Sequence, residues 1–523
     1  MDLKKICIAS ALTVPMALSS CGSSAPQNVA EQPSFISTDY NAVIEMIDSL
    51  STADLTTEKL AEEAYVAYCA LDYSVKDKVS NLDKLQEYRK EITKLYHTEE
   101  KRGDRIDRSD LLISTYNFGR DLWNDEDVKK LKDCGIDFVI AASYDTELLD
   151  LFEKHGIGAF LSYLPSWFGQ EDTHGQLSEK IPAGSFVPYA EKFVDHPAIW
   201  GLDICDELGA YDFPHLNVLL KEAEELFPGK LVYINLIPNY GSTWRFVGKP
   251  YQEHLNSYIE QVETDYISYD HYFYWHFDED SDAWFVDNLK AAQNSAKIDG
   301  RDMWIVLQAN SVNQGDTISY EKLSTEQLRY QVYGSLAFGV QEISWACWTP
   351  GWWHNNVYEN GQYTEQYDKL KTVNTELGYL APVYMRYKCI DTEFISTTHS
   401  RTISQKKPSI DWMFKKNSDG VLEQSTLTDI ETSSDSSILL GAFEKRLGNG
   451  NAFMFTNVTD FHCKEDSKTV DSWVRFKTNN KNVQLTAYTH NCAYVLTPDE
   501  NGVYLIYIPN GEGVFVTAET IAE

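Results

Sequence analysis

The stretch Trp200-Gly201-Leu202-Asp203-Ile204-Cys205-Asp206-Glu207 carries acidic side chains along its length, and two of them adjoin at its end. Carboxyl groups hold and pass protons, so a convergent set of them is the raw material of general acid–base chemistry. If this run is a strand, alternation puts Asp203, Cys205 and Glu207 on one face. A carboxyl buried there is costly unless it has a task or a partner. The plain alternative is that Asp206 and Glu207 open a solvated loop, and for an acidic pair alone that alternative is the better one. Repetition weighs against it. Other apolar runs also end in aromatic, amide or acidic side chains: Tyr116 with Asn117, Tyr144, Tyr163 with Trp167, Asn235, Tyr269-Asp270-His271-Tyr272, Gln308 with Asn310, and Trp345 with Trp348, followed by Trp352-Trp353. Aromatic faces stack on the C–H faces of sugars, while carboxylates, amides and histidine hydrogen-bond the hydroxyl rims, so the combination suits a saccharide cleft. Each aromatic taken singly is ordinary packing.

The elements that must position these groups follow from the texture of the chain. After Arg108, short apolar runs alternate with amphipathic helical segments, the pattern of parallel strands joined by crossover helices. Eight such runs occur: Leu111 to Tyr116, Phe138 to Tyr144, Ala159 to Leu164, Ile199 to Cys205, Leu231 to Leu236, Tyr266 to His271, Met303 to Gln308 and Ile343 to Trp348. The helical segments fall between and after them, and several end at a glycine (Gly135, Gly156, Gly229, Gly339), the residue that accepts the left-handed conformation past a helix end. Eight successive β-α units predict a (β/α)8 TIM barrel, whose chemistry sits at the C-terminal ends of its strands. The rival, an open doubly wound sheet, lacks a GxGxxG after its first strand. From Tyr40 to about Arg102 the apolar residues recur at helical spacing (Leu60, Ala64, Val66, Ala67, Leu71, then Leu82, Leu85, Tyr88, Ile92, Leu95), which predicts an N-terminal helical segment. Past Arg386, alternating runs separated by Asn449-Gly450, Asn501-Gly502 and Asn510-Gly511 predict a C-terminal antiparallel β-sandwich with no catalytic cluster of its own. The expected domains are therefore a helical unit over 38–108, the barrel over 109–385 and the sandwich over 386–523.

The barrel resembles the clan A glycoside hydrolases, in particular the β-galactosidase-like barrels of family 42. The resemblance rests on the Trp200 to Glu207 segment, on Asp265-Tyr266-Ile267-Ser268-Tyr269-Asp270-His271-Tyr272, on Trp304-Ile305-Val306-Leu307-Gln308-Ala309-Asn310 and on Leu336-Ala337-Phe338-Gly339-Val340. It implies an acid/base Glu at the end of strand four, which falls on Glu207, with Asp206 where the clan commonly has Asn. It also implies a nucleophilic Glu at the end of strand seven, and there this chain reads Gln308-Ala309-Asn310, with no carboxylate. The clan's retaining pair is therefore not carried over. Asp270, at the tip of strand six, is the best remaining partner for Glu207 as general acid. On a non-adjacent strand the pair would take the longer of the two carboxylate spacings, about 6.5–9.5 Å rather than about 5–5.5 Å, which favours inversion. Asp270 serves equally well to orient His271 or a substrate hydroxyl. Asp203, deeper in the strand, reads as a buried hydrogen-bond partner. The expectation is a hydrolase acting on a neutral, β-linked oligosaccharide, with Asp206, Asn235, His271, Tyr272 and the other strand-end side chains contacting substrate. The alternative is a non-catalytic glycan-binding protein on the same barrel.

Other chemistries lack their residues. A metal-dependent barrel hydrolase needs His-x-His after strand one, where Ser114-Thr115-Tyr116-Asn117 stands, and His271 has no second His at ligand spacing, so no metal and no cofactor is expected. No Gly-rich phosphate loop follows strands seven or eight. The net charge of −34 disfavours nucleic acid and polyanionic sugars as partners. At the N-terminus, Lys4 and Lys5 precede an apolar stretch from Ile6 to Leu18, interrupted by Ser10, Thr13 and Pro15 and shorter than the ~20 residues of a membrane span. It reads as a signal peptide over 1–20. Leu18-Ser19-Ser20-Cys21 resembles the lipobox of bacterial lipoproteins, which implies lipidation at Cys21, a membrane anchor, a tether over 21–37 and a place in the bacterial cell envelope. The other seven cysteines are scattered from Cys69 to Cys492 without paired spacing and are expected mostly as buried thiols.

Overall fold

A computed structural model describes residues 37–98, 101–162, 175–274, 281–314, 317–318, 322–349, 353–354, 357–396, 406–409, 413–414, 425–434, 436–460 and 471–521. The signal segment, Cys21, Tyr163, Trp167 and Trp352 lie outside the described residues, as does the side chain of Trp353.

Eight parallel strands close into a barrel: β1 (Leu112–Tyr116), β2 (Phe138–Ala142), β3 (Gly158–Ser162), β4 (Ile199–Asp206), β5 (Leu231–Leu236), β6 (Tyr266–His271), β7 (Asp302–Gln308) and β8 (Glu342–Ala346), with β8 pairing back onto β1. The eight runs expected from the sequence are these strands, and the fold is a (β/α)8 barrel with an antiparallel sandwich behind it. The glycines expected past the helix ends have φ of 80° (Gly135), 65° (Gly156), 77° (Gly229) and 86° (Gly339), the region where a Cβ would clash.

Large aromatics fill the lower barrel. Trp304 stacks on Tyr266 with ring centroids 4.1 Å apart, and Phe138, Phe160 and Tyr233 close around them. Two glycines make the room: a Cβ on Gly158 would come within 2.2 Å of the Trp200 ring, and one on Gly201 within 2.2 Å of Phe160.

The strand that matters most departs from simple alternation. Between Asp203, which pairs with Tyr233, and Cys205, which pairs with Ile234, β4 holds one extra residue. A bulge of this kind re-aims every side chain beyond it. Cys205 accordingly packs in the outer layer with Leu202 and Ile204, whereas Asp206 turns inward to hydrogen-bond Asn235. The expectation that Asp203, Cys205 and Glu207 share a face is therefore corrected: Asp203 and Asp206 share it.

The three longer N-terminal helices, α1 (Tyr40–Ser49), α2 (Glu58–Cys69) and α3 (Leu82–Lys94), lie where helical spacing put them, although α2 buries Ala61, Ala64 and Tyr65 and leaves Leu60 at 51% exposure. They dock through a buried ion network. Arg89 and Arg386 are both fully buried, and Glu62 receives them at 3.1 and 2.9 Å.

The last barrel helix, α4 (Glu365–Tyr384), leads into a sandwich whose six-stranded sheet rests on the barrel helix Thr325–Ala337 through Thr456 Oγ1, which donates to the Tyr333 carbonyl at 3.0 Å. A four-stranded sheet covers its other face, and the core between them includes Phe453, Phe455, Phe476 and Ile506. Of the six described cysteines outside the signal, Cys134, Cys205 and Cys347 are buried and Cys69, Cys389 and Cys492 are half-buried, so the expectation of buried thiols holds for three of them. Among the described residues no helix is long and apolar enough to cross a membrane.

Candidate active site at the barrel mouth

The C-terminal ends of β4, β5 and β6 bring three carboxyl groups and one amide together. Asn235 sits between the acids: its Nδ2 donates to Asp206 Oδ1 at 3.1 Å and to Asp270 Oδ1 at 2.9 Å. The shared nitrogen holds those two oxygens within about 6 Å of each other. Glu207 follows directly, its backbone left-handed at φ 50°. Its amide donates to the Asn235 carbonyl at 2.8 Å, fixing the turn. Arg245, from the loop after β5, donates through Nη1 to Glu207 Oε2 and to the Glu207 carbonyl, both at 2.8 Å. Below them Asp203 is buried beside Ser162, Tyr116 and Tyr233.

The electrostatics follow from this crowding. Asp270 is buried, and its carboxyl is pushed well above the usual range by burial and by the charges of Glu207 and Asp206. Asp206 is exposed at the strand tip, and the protein packed beneath it, with the charge of Glu207, pushes it up to about 7 against the downward pull of Asn235 and Arg245. Burial and the neighbouring Asp206 raise Asp203 as well. The Asp206–Asp270 couple thus keeps a proton near neutral pH, and because the two interact, that proton belongs to the couple.

Of the side chains singled out from the sequence, the mouth gathers Asp206, Glu207, Asn235, Asp270, Tyr272, Tyr116 and Asn117. Tyr272 and Tyr116 flank Cys347 and Val306, and Asn117 Nδ2 approaches Cys347 Sγ at 3.9 Å. Four others go elsewhere. His271 points away from the barrel axis, with Nδ1 3.3 Å from Asn288 Oδ1 and its ring against Tyr240 and Phe285. Trp345 faces the outer helix layer, where Nε1 donates to Asn374 Oδ1 at 3.0 Å. Trp348 is buried against Tyr363 and Tyr367. Tyr144 packs on Tyr189 and Phe193.

At the tip of β7, both ends of the Gln308 amide are taken by backbone: Oε1 accepts from the Tyr274 N–H at 2.8 Å and Nε2 donates to the Asn310 carbonyl at 2.8 Å. Asn310 Nδ2 in turn donates to the Cys347 carbonyl at 2.7 Å. These two amides tie loops together.

Sequence reading missed Arg245, Tyr240, Tyr233 and Ser268. Arg245 had a signal, a lone cation in the aromatic segment Tyr240-Gly241-Ser242-Thr243-Trp244-Arg245 just after strand five. Tyr240, whose hydroxyl accepts the Tyr272 N–H at 3.1 Å, lies in the same loop.

No family model matches the chain, and no curated protein matches it. Solved structures do align with it. A cold-adapted β-galactosidase from Rahnella sp. R3 aligns at 10% identity over 80% of this chain and 99% of its own, with a TM-score of 0.45. A family 42 β-galactosidase from G. stearothermophilus aligns at 10% identity over 78% and 98%, with a TM-score of 0.46. A family 5 glycoside hydrolase from Bacteroides vulgatus aligns at 10% identity over 78% and 89%, with a TM-score of 0.41. All three TM-scores fall below 0.5, so the barrel assignment rests on this chain's own strand order.

Proposed function

We propose that the chain is a glycoside hydrolase acting outside the cytoplasm on a neutral, β-linked oligosaccharide. The observation that carries the reading is the convergence of Asp206, Glu207 and Asp270 on Asn235 at the catalytic end of the barrel, in two unlike electrostatic settings. Carboxyls set in such unlike surroundings take the separate acid and base roles of such reactions. The Asp206–Asp270 couple holds the proton and delivers it to the leaving glycosidic oxygen. Glu207, ion-paired to Arg245, supplies the negative charge that steadies the oxocarbenium-like centre and activates the incoming water. The C–O bond breaks, water adds its oxygen to the sugar, and its proton returns to the carboxyl cluster. This assigns the acid to Asp206 with Asp270, whereas the clan resemblance puts it on Glu207. The reason is Arg245, which holds Glu207 as an ion pair. Tyr116, Asn117 and Tyr272 supply the stacking and hydrogen-bonding wall. The proposal includes the signal peptide over 1–20, lipidation at Cys21, the tether over 21–37 and the domain division at 38–108, 109–385 and 386–523.

One observation favours a second reading. Gln308 stands where the resemblance calls for a nucleophile and its amide is committed to backbone, which suits a barrel that binds glycan without cleaving it. Release of reducing sugar from a panel of neutral glycans and aryl glycosides, by protein lacking residues 1–21 and by its Asp206→Asn, Glu207→Gln and Asp270→Asn variants, separates the two. Turnover lost in all three variants supports the hydrolase. Glycan that protects the fold against heat yet is never cleaved supports capture, and turnover that survives the changes at Asp206 and Asp270 removes the assigned acid.

A further inference from the structure

We infer that Ser268 and Tyr233 are positioning residues whose hydroxyls hold the Asn235 amide with its NH2 turned toward Asp206 and Asp270, so that the couple's proton sits on an outer carboxyl oxygen facing the mouth. The inference rests on the function proposed above and adds to it a device for placing the proton.

A carboxamide that meets two carboxyl oxygens through one atom must offer them nitrogen, because only the NH2 has two protons to give. With Nδ2 committed to Asp206 and Asp270, Asn235 Oδ1 needs a donor. Ser268 Oγ, on the neighbouring strand, lies 3.5 Å away, the longest link in the set. If Ser268 spends its single proton there, it must accept from Tyr233, whose hydroxyl lies at 2.9 Å. Tyr233 then accepts from Tyr116, whose hydroxyl donates at 3.1 Å. The chain Tyr116 to Tyr233 to Ser268 to Asn235 to the acids has one self-consistent direction, and Tyr233, Ser268 and Asn235 are all buried, where an unmade hydrogen bond is costly. Reversal would turn Asn235 Oδ1 toward the acids, and both would then need a proton to meet it. The hydroxyls therefore set how many protons the couple holds and on which side.

Several other ionisable groups face the couple and are left in place by the test. Glu207 and Asp203 share its strand, and Arg245 and Tyr240 come from the loop after β5. Tyr251 comes from the helix Tyr251–Gln261, and Tyr272 and Cys347 come from the ends of β6 and β8.

The test uses protein lacking residues 1–21 with carboxyl-labelled aspartate, and titrates Asp206 and Asp270 by carbon NMR without any substrate, the signals being assigned with Asp206→Asn and Asp270→Asn. In Ser268→Ala the couple's titration should move upward by on the order of one unit, since the hydrogen bond to the charged form is weakened, and Ser268→Thr should restore it. Tyr233→Phe, which keeps the ring, should shift it the same way by less. Where a glycan is cleaved, the basic limb of the rate profile should move with the titration and kcat should fall at unchanged KM. An unchanged titration in folded Ser268→Ala and Tyr233→Phe overturns the inference. A shifted titration in a protein that cleaves no glycan upholds the positioning chain and rejects the proposed function, so the two failures are distinct.

Discussion

Two clusters of charge in this molecule show opposite design. Where the N-terminal helices meet the barrel and sandwich, Glu58 and Glu62 face Arg89, Arg386 and Lys445, with Arg386 Nη1 at 3.1 Å and Lys445 Nζ at 3.1 Å from Glu58. Every carboxylate has cations to answer it. Despite its burial, Glu62 is accordingly held down to about 2, because Arg89 and Arg386 outweigh the desolvation. At the barrel mouth, Asp203, Asp206, Glu207 and Asp270 converge with Arg245 as the cation that pairs with Glu207. There the balance runs the other way, and Asp206 rises to about 7. Charge that is matched joins pieces of structure, whereas charge left unmatched keeps protons at neutral pH, which is how a chemical site differs from a structural one.

Three substitutions set the two clusters apart. The largest effect should be on turnover: Asp206→Asn or Asp270→Asn should lower hydrolysis roughly 100- to 10,000-fold, the usual contribution of a positioned acid, with the fold retained. Next, Glu62→Gln should destabilise the fold by about 3–5 kcal/mol, because it removes the carboxylate paired to the buried Arg89 and leaves Arg386 with Glu58 alone, with no change in the rate per folded molecule; denaturant unfolding and assay of the same samples would check both. Smaller and opposite in sign, Asp270→Asn should raise the melting temperature at pH 8 by roughly 1 °C for each ~1 kcal/mol of relieved repulsion, and the gain should shrink as the pH is lowered.

The pH dependences should also oppose each other. Glu62 has a depressed folded-state value, so its stabilisation is present above its ordinary value of 4.5 and is lost as pH falls toward about 2. Asp206 has a raised one: the folded state binds more protons between 3.8 and about 7, so stability drains away as pH rises through that window and levels off above it. Melting curves of the parent, Glu62→Gln and Asp206→Asn from pH 3 to pH 9 would show the acid-side loss shrink in the first variant and the alkaline-side loss shrink in the second.

Much of this was legible in the residues. Eight apolar runs with glycine-ended helices between them specify a barrel because burial on both faces of a parallel strand leaves a continuous signal. The knowledge that barrel chemistry sits at strand ends then leads to Asp206, Glu207, Asn235 and Asp270. What alternation hides is the bulge in β4: a single inserted residue exchanges the faces of Cys205 and Asp206, and the types of the residues around Ile204 carry no sign of it. Parity also decides the strand-end aromatics. Trp345 and His271 sit one residue from inward positions, Ser344 and Asp270, and so pack against helices, although at sequence level they look like part of the cleft. Arg245 was missed because it comes from a loop, where spacing has no period to read.

The most direct test of the central claim is the pH profile of reducing-sugar release by the parent protein and by Asp206→Asn. An unmatched carboxyl cluster that acts as the acid predicts a basic limb near pH 7 in the parent and its loss, with most of the activity, in the variant. A glycan-cleaving parent with no limb there, or a variant that keeps the parent's rate and profile, would contradict it.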